Sequence, residues 1–177
     1  MKNWKDVEGW INTQEISILQ QLAKDKICLE IGSYKGKSSV GIAEVAKEVF
    51  CVDTFSADGS GQNQHENTLT LNEFTENTKG YSNISPCVGN SKIMVPLFED
   101  NKFDFIFIDG DHSYEGVKND ILVCWPKLKI GGIMAFHDYK WDGFNDGGPK
   151  KAIDGFFKDH KGPFFSIVYV VKDREVL

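Results

Sequence analysis

The sequence predicts an α/β fold: a doubly wound, mostly parallel sheet of six or seven strands with helices on both faces. Three observations carry this expectation. Short apolar runs bounded by turn residues recur along the chain, helix-period segments separate them, and two polar, glycine-rich stretches follow predicted strand ends. Strands that alternate with helices form right-handed βαβ units, and a parallel sheet built in this way is covered on both sides.

Taken in order, a helix is expected over 14–24, followed by a strand at Ile27–Ile31. A helix over 37–48 leads to a strand at 49–53, Val-Phe-Cys-Val-Asp. Helices over 68–79 and 91–98 flank a strand at 84–88, and Phe-Asp-Phe-Ile-Phe-Ile at 103–108 reads as a buried strand. The clearest helix spans 114–128, where Val117, Ile121, Leu122, Trp125 and Leu128 form one apolar stripe. A strand at 132–136 is followed by a helix from Pro149 to His160, with Pro in its first turn and Ala152, Ile153, Phe156 and Phe157 facing inward. The last strand is placed at 164–171. Of the two long polar connections, Thr54–Asn67 reads as a plain mobile loop, and Lys140–Gly148, with Trp141 and Phe144, as a substrate lid.

A chain of 177 residues suits one domain, here 1–177, with 1–26 as a helical cap segment and 27–177 as the core. A hydrophobic share of 41% and a charged share of 26% exclude a disordered or low-complexity chain. The 26 acidic residues outnumber 20 basic ones, and with no basic run to track a phosphate backbone, nucleic acid is not an expected partner. No apolar stretch approaches the roughly 18 residues of a membrane span, and Met-Lys-Asn-Trp-Lys-Asp lacks a signal-peptide core, so no membrane is expected and the location is read as cytoplasmic. Cys28, Cys51, Cys87 and Cys124 are far apart and set among apolar residues, the pattern of buried structural thiols rather than disulfides or a zinc site.

In open α/β sheets, ligands bind beyond the carboxyl ends of the strands. Four places there bear chemistry: the turn after Ile31, Asp53, Asp109–His112 and His137–Tyr139. The stretch Glu30-Ile-Gly-Ser-Tyr-Lys-Gly-Lys-Ser-Ser39 is a glycine-rich turn opening a helix, an arrangement that holds an anion on free backbone N–H groups. It is not a Walker A loop, which needs four residues between its glycines where Gly32 and Gly36 enclose three. The dinucleotide fingerprint Gly-x-Gly-x-x-Gly is absent too, although Asp53 lies 21 residues beyond Gly32, where an acid could grip a ribose diol.

With those segments in order, the chain resembles the class I S-adenosylmethionine-dependent methyltransferases, whose core is Rossmann-like. Leu29-Glu-Ile-Gly-Ser-Tyr-Lys-Gly-Lys-Ser38 resembles the first motif of the catechol-type O-methyltransferases. Phe105-Ile-Phe-Ile-Asp-Gly-Asp-His-Ser-Tyr114, followed by Gly131-Gly-Ile-Met-Ala-Phe-His-Asp-Tyr139, resembles the bacterial branch of macrocin-type and other sugar O-methyltransferases. The resemblance implies S-adenosylmethionine as cofactor, its carboxylate on the Gly32–Gly36 turn with Tyr34 and Ser38 as donors, and Glu30 orienting the turn. It puts the ribose hydroxyls on Asp53, the adenine beside Asn90 and Ser91, and Asp109 at the reacting end of the cofactor.

The resemblance further implies a divalent cation, Mg or Mn, on Asp109, His137 and Asp138, lowering the acceptor's pKa. His137 departs from the family's usual Asp at that position, and imidazole suits Mn²⁺ better than Mg²⁺. His112 and His137 both stand as candidate general bases, and His65 and His160 are read as surface residues. The acceptor is expected to be a small-molecule hydroxyl, of sugar or natural-product type, with Trp4 and Trp10 as candidate walls of its pocket. Self-association is left open. The rival readings are a non-catalytic S-adenosylmethionine or nucleotide binding module and an NAD-dependent oxidoreductase.

Overall fold

The computed structural model describes residues 1–56, 64–143, 145 and 147–174, and of residues 64–68 only the backbone. Helix α1 is Thr13–Ala23, β1 Ile27–Ile31, α2 Lys37–Ala43, β2 Glu48–Asp53, α3 Gln64–Thr78, β3 Ile84–Val88 and α4 Ser91–Met94. Then follow β4 Phe103–Ile108, α5 Tyr114–Cys124, β5 Leu128–Phe136, α6 Gly148–Phe156, β6 Lys161–Phe164 and β7 Ile167–Val171. The seven strands lie in the order β3-β2-β1-β4-β5-β7-β6. The first five are parallel, while β7 runs antiparallel to β5 and β6 to β7. Order reverses beside β1, so the carboxyl ends of β1 and β4 border the crevice where this topology places ligands.

Strand alternation sorts the core into two layers. On β4, Ile106 and Ile108 join Val117, Ile121, Trp125, Ile153 and Phe157 beneath α5 and α6. Phe105 and Phe107 point the other way, to Ile16, Leu19, Val40 and Ile42 of α1 and α2. Each fully buried phenylalanine contributes about 1.5 to 3 kcal/mol. Trp4 is part of this second layer, not a pocket wall, because the turn at Trp4–Asp6 drives its ring inward. Cys28, Cys51 and Cys124 are buried free thiols and Cys87 is half-buried.

Several elements differ from the sequence expectation for identifiable reasons. The helix over 114–128 stops at Cys124, because Pro126 lacks the N–H that would continue it; Trp125–Lys127 tightens into a 3-10 turn and Leu128 opens β5. Leu122 is exposed, since the inward face runs through Val117, Ile121 and Cys124 and leaves it to one side. Strand β5 begins four residues early, the Gly131-Gly132 pair having hidden its first half. Helix α2 ends at Ala43 because the chain must turn by Lys47, whose amide bonds Lys26. Helix α6 ends at Phe156, where Phe157 turns extended. The expected strand at 164–171 is a hairpin, with Phe165 in the left-handed region at a turn that carries neither glycine nor asparagine.

Of the Thr54–Asn67 loop, residues 57–63 lie outside the described residues, and 64–67 already belong to α3. Phe144 and the side chain of His65 also lie outside them. His160 is not a surface residue: Tyr139 Oη lies 3.0 Å from its Nε2 and donates to Asp154 at 2.8 Å, tying the end of β5 to α6. Among the described residues no helix is long and apolar enough to cross a membrane.

Candidate active site

The carboxyl ends of the five parallel strands open into one cavity of about 820 Å³. Strand β1 ends in a turn whose geometry only glycine permits at Gly32. Its φ is +88°, and a Cβ there would run into the carbonyl oxygen of Asp109. The Gly32 amide bonds Val52 O at 3.0 Å and the Asp109 amide bonds Ile31 O at 2.8 Å, so the loops after β1 and β4 touch. Gly36, also left-handed, caps α2, and a Cβ on it would press on Phe74 and Thr78. Gly36 thus braces the turn from behind.

Tyr34 sits in the left-handed region with φ 45°, held there by its amide donating to Asp53 Oδ2 at 2.7 Å. Its ring stacks on Trp10 at 4.9 Å, and Trp10 is 83% exposed over the cavity mouth. Ser38 lines the cavity from the first turn of α2. Glu30 does not reach the cavity; wholly buried, it accepts a short bond from Ser39 beneath the turn. Burial raises its pKa against the opposing pull of Ser38, Ser39 and Ser33. Asp53 lines the cavity at the end of β2, and burial raises its pKa although the Tyr34 and Phe55 amides oppose the shift.

Beyond β3, Asn90 caps α4 through Lys92 N at 2.9 Å, and Ser91 Oγ donates to Asp120 at 2.6 Å. Both line the cavity, as does Asp120. Asp120 was not singled out from the sequence; the available signal was an acid on the buried face of α5, beside Val117, Ile121 and Cys124. Burial pushes its carboxyl up to about 6.

At the ends of β4 and β5, Asp109, His137 and Asp138 bring one ligand atom each within 4.8 Å of one another. His137 Nδ1 lies 3.3 Å from both Asp109 Oδ1 and Asp138 Oδ1. Its Nε2 lies 3.3 Å from Glu15 Oε2, a residue absent from the sequence reading whose visible signal was the Asn12-x-x-Glu15 capping box. These approaches are of ion-pair length and off the axis of a hydrogen bond. Burial pulls the His137 pKa down, but Asp109 and Asp138 outweigh it and carry it to about 11. His112 Nε2 stands 3.3 Å from Asp109 and 3.4 Å from Asp138 on the open side, its ring 5.3 Å from that of Trp141. Burial lowers the His112 pKa, and Asp109 more than reverses it. Both histidines line the cavity, but His137 is buried with a 6% exposed side chain while His112 is 30% exposed.

Residues 29–139 match the methyltransferase-domain family, from β1 to just past β5. The chain belongs to that family. Uncharacterized protein R132 of Acanthamoeba polyphaga mimivirus is 28% identical over 132 residues, 70% of this chain, and the chain spans 58% of that relative's length. Among solved structures, the O-methyltransferase NovP superposes with a TM-score of 0.71 at 16% identity, covering 93% of this chain and 81% of NovP. SMU.1697c of Streptococcus mutans, solved in complex with SAH, gives 0.64 at 16% identity, covering 92% and 99%. At these identities the likeness establishes the methyltransferase fold.

Proposed function

We propose that the protein is an S-adenosylmethionine-dependent methyltransferase acting on a hydroxyl of a small molecule, of sugar or natural-product type. One observation carries the reading: the glycine turn, Asp53 and the Asp109–His112–His137–Asp138 cluster open onto a single cavity. In this reading the cofactor's carboxylate sits against the Gly32–Gly36 turn where it opens α2, with Tyr34 and Ser38 as donors. Asp53 takes the ribose hydroxyls, Asn90 and Ser91 border the adenine, and Asp109 stands at the reacting end. Glu30 supports the turn from within. NovP is an O-methyltransferase and SMU.1697c was solved with SAH, which supports both the cofactor and the type of acceptor.

Methyl transfer from a sulfonium needs alignment of the acceptor and removal of its proton. His112 is the proton acceptor in this reading, since it faces the cavity and the adjacent carboxylates stabilise its charged form. Asp109, Asp138 and His137 fit a divalent cation, two oxygen donors and one imidazole nitrogen matching Mn²⁺ or Mg²⁺. When bound, the ion would lower the acceptor's pKa. Trp141 lines the acceptor side of the cavity. Calorimetry tests the reading: S-adenosylhomocysteine binds while NAD and ATP do not, and tight NAD binding with no S-adenosylhomocysteine binding would overturn it.

A further inference from the structure

Glu15 lies outside the segment that matches the methyltransferase family, yet it meets the innermost residue of the site. It is a carboxylate with a 4% exposed side chain, and it is fully committed. Oε1 accepts the Ser166 amide at 3.1 Å and the Ser166 hydroxyl at a shorter distance. Oε2 accepts the Asn12 amide at 3.0 Å and faces His137 Nε2. Buried charge needs such partners, and these fix the carboxylate between α1 and the β6–β7 turn. Burial raises the Glu15 pKa, but Ser166, Asn12 and His137 outweigh it and leave the carboxyl below its ordinary value. Glu15 does not line the cavity, so it touches neither cofactor nor acceptor.

The imidazole of His137 has two distinct faces. Nδ1 looks toward Asp109 and Asp138, Nε2 toward Glu15. A ring nitrogen can bind a cation only when it carries no hydrogen, and the partner of the other nitrogen decides which hydrogen stays. We infer that Glu15 is the positioning residue of this site: it retains the Nε2 hydrogen of His137 and so presents Nδ1, in fixed orientation, to the space between Asp109 and Asp138. The inference rests on the proposed role of those three residues as a cation cage. It also gives the N-terminal helix a part in the site beyond covering the sheet.

The test compares the whole protein with Glu15→Gln and Asn12→Ala. The second breaks the cap of α1 and leaves the carboxylate in place. Two quantities are measured: Mn²⁺ affinity by electron paramagnetic resonance, and the imidazole proton resonances of His137 by long-range ¹H–¹⁵N correlation without metal. A positioning role requires an Nε2–H resonance that shifts in Glu15→Gln but not in Asn12→Ala. It also requires Mn²⁺ binding weakened about 10- to 100-fold by Glu15→Gln alone, the usual range for loss of such a partner. An Nε2–H resonance unmoved by Glu15→Gln, or equal losses in both variants, overturns the inference. If the wild type takes up no Mn²⁺, the cage reading fails while the resonance still decides the role of Glu15. Should Glu15→Gln not fold, Ser166→Ala loosens the same carboxylate, and an unchanged resonance and affinity there overturn the inference equally.

Discussion

Asp53 Oδ2 accepts the amide of Tyr34 at 2.7 Å, so the residue that ends β2 holds the turn that ends β1. Its other oxygen accepts the Phe55 amide at 2.6 Å. The carboxylate therefore shapes the glycine turn as well as facing the cavity. Asp53→Ala should weaken S-adenosylhomocysteine binding by about 1 to 3 kcal/mol, the range for leaving polar partners unmatched. Calorimetry reads the loss, and unchanged affinity would remove Asp53 from the ribose role.

Asp120 makes a pH-dependent prediction. Burial raises its carboxyl to about 6 in the folded chain, against roughly 3.9 when unfolded. Between those values the native state binds more protons than the unfolded one, so this group makes stability fall as pH rises from about 4 to 6. Asp120→Asn removes the penalty. Denaturant unfolding should find the variant more stable by on the order of 1 to 3 kcal/mol at pH 8 and nearly unchanged at pH 4, with Ser91 keeping an acceptor.

Trp141 provides a test that distinguishes the proposed acceptor side of the cavity from the cofactor side. Its ring leans on His112, on the open side of the carboxylate cluster. Trp141→Ala should raise the acceptor KM and leave S-adenosylhomocysteine affinity nearly intact. Equal damage to both would move Trp141 to the cofactor side.

The proposed cation has its own test. Activity should vanish with chelator and return with Mn²⁺ or Mg²⁺, and Asp138→Ala should abolish the rescue, because one of two oxygen donors is lost. A rate indifferent to chelator but lost in His112→Ala would leave a metal-free base. That rate would rise with pH through a value above the ordinary histidine range, since Asp109 raises the His112 pKa despite burial.

The parallel half of the fold was legible because buried parallel strands are continuous apolar runs, as at Phe103–Ile108, and β1 to β4 are closed or followed by a glycine or an acid. The same property pointed to the strand-end residues that line the cavity, from Gly32 to Asp138. What escaped depends on contacts distant in sequence. Phe165 and Ser166 turn a hairpin with no glycine or asparagine to announce it, and Gly131-Gly132 concealed half of β5. Glu15 closes the capping box of α1, but its other partners are 122 and 151 residues away, and no local pattern encodes that. Trp4 and Trp10 look alike in sequence, yet one turns into the core and the other over the cavity.

The bonds between Glu15 and Ser166 join segments 151 residues apart. A growing chain can complete β1, the glycine turn, Asp53 and Asp109 well before residue 166 leaves the ribosome, but until then Glu15 lacks both of the Ser166 donors that hold it behind His137. If Glu15 positions His137 as proposed, that arrangement is complete only once the β6–β7 hairpin has closed onto α1, with the hairpin acting as the clasp.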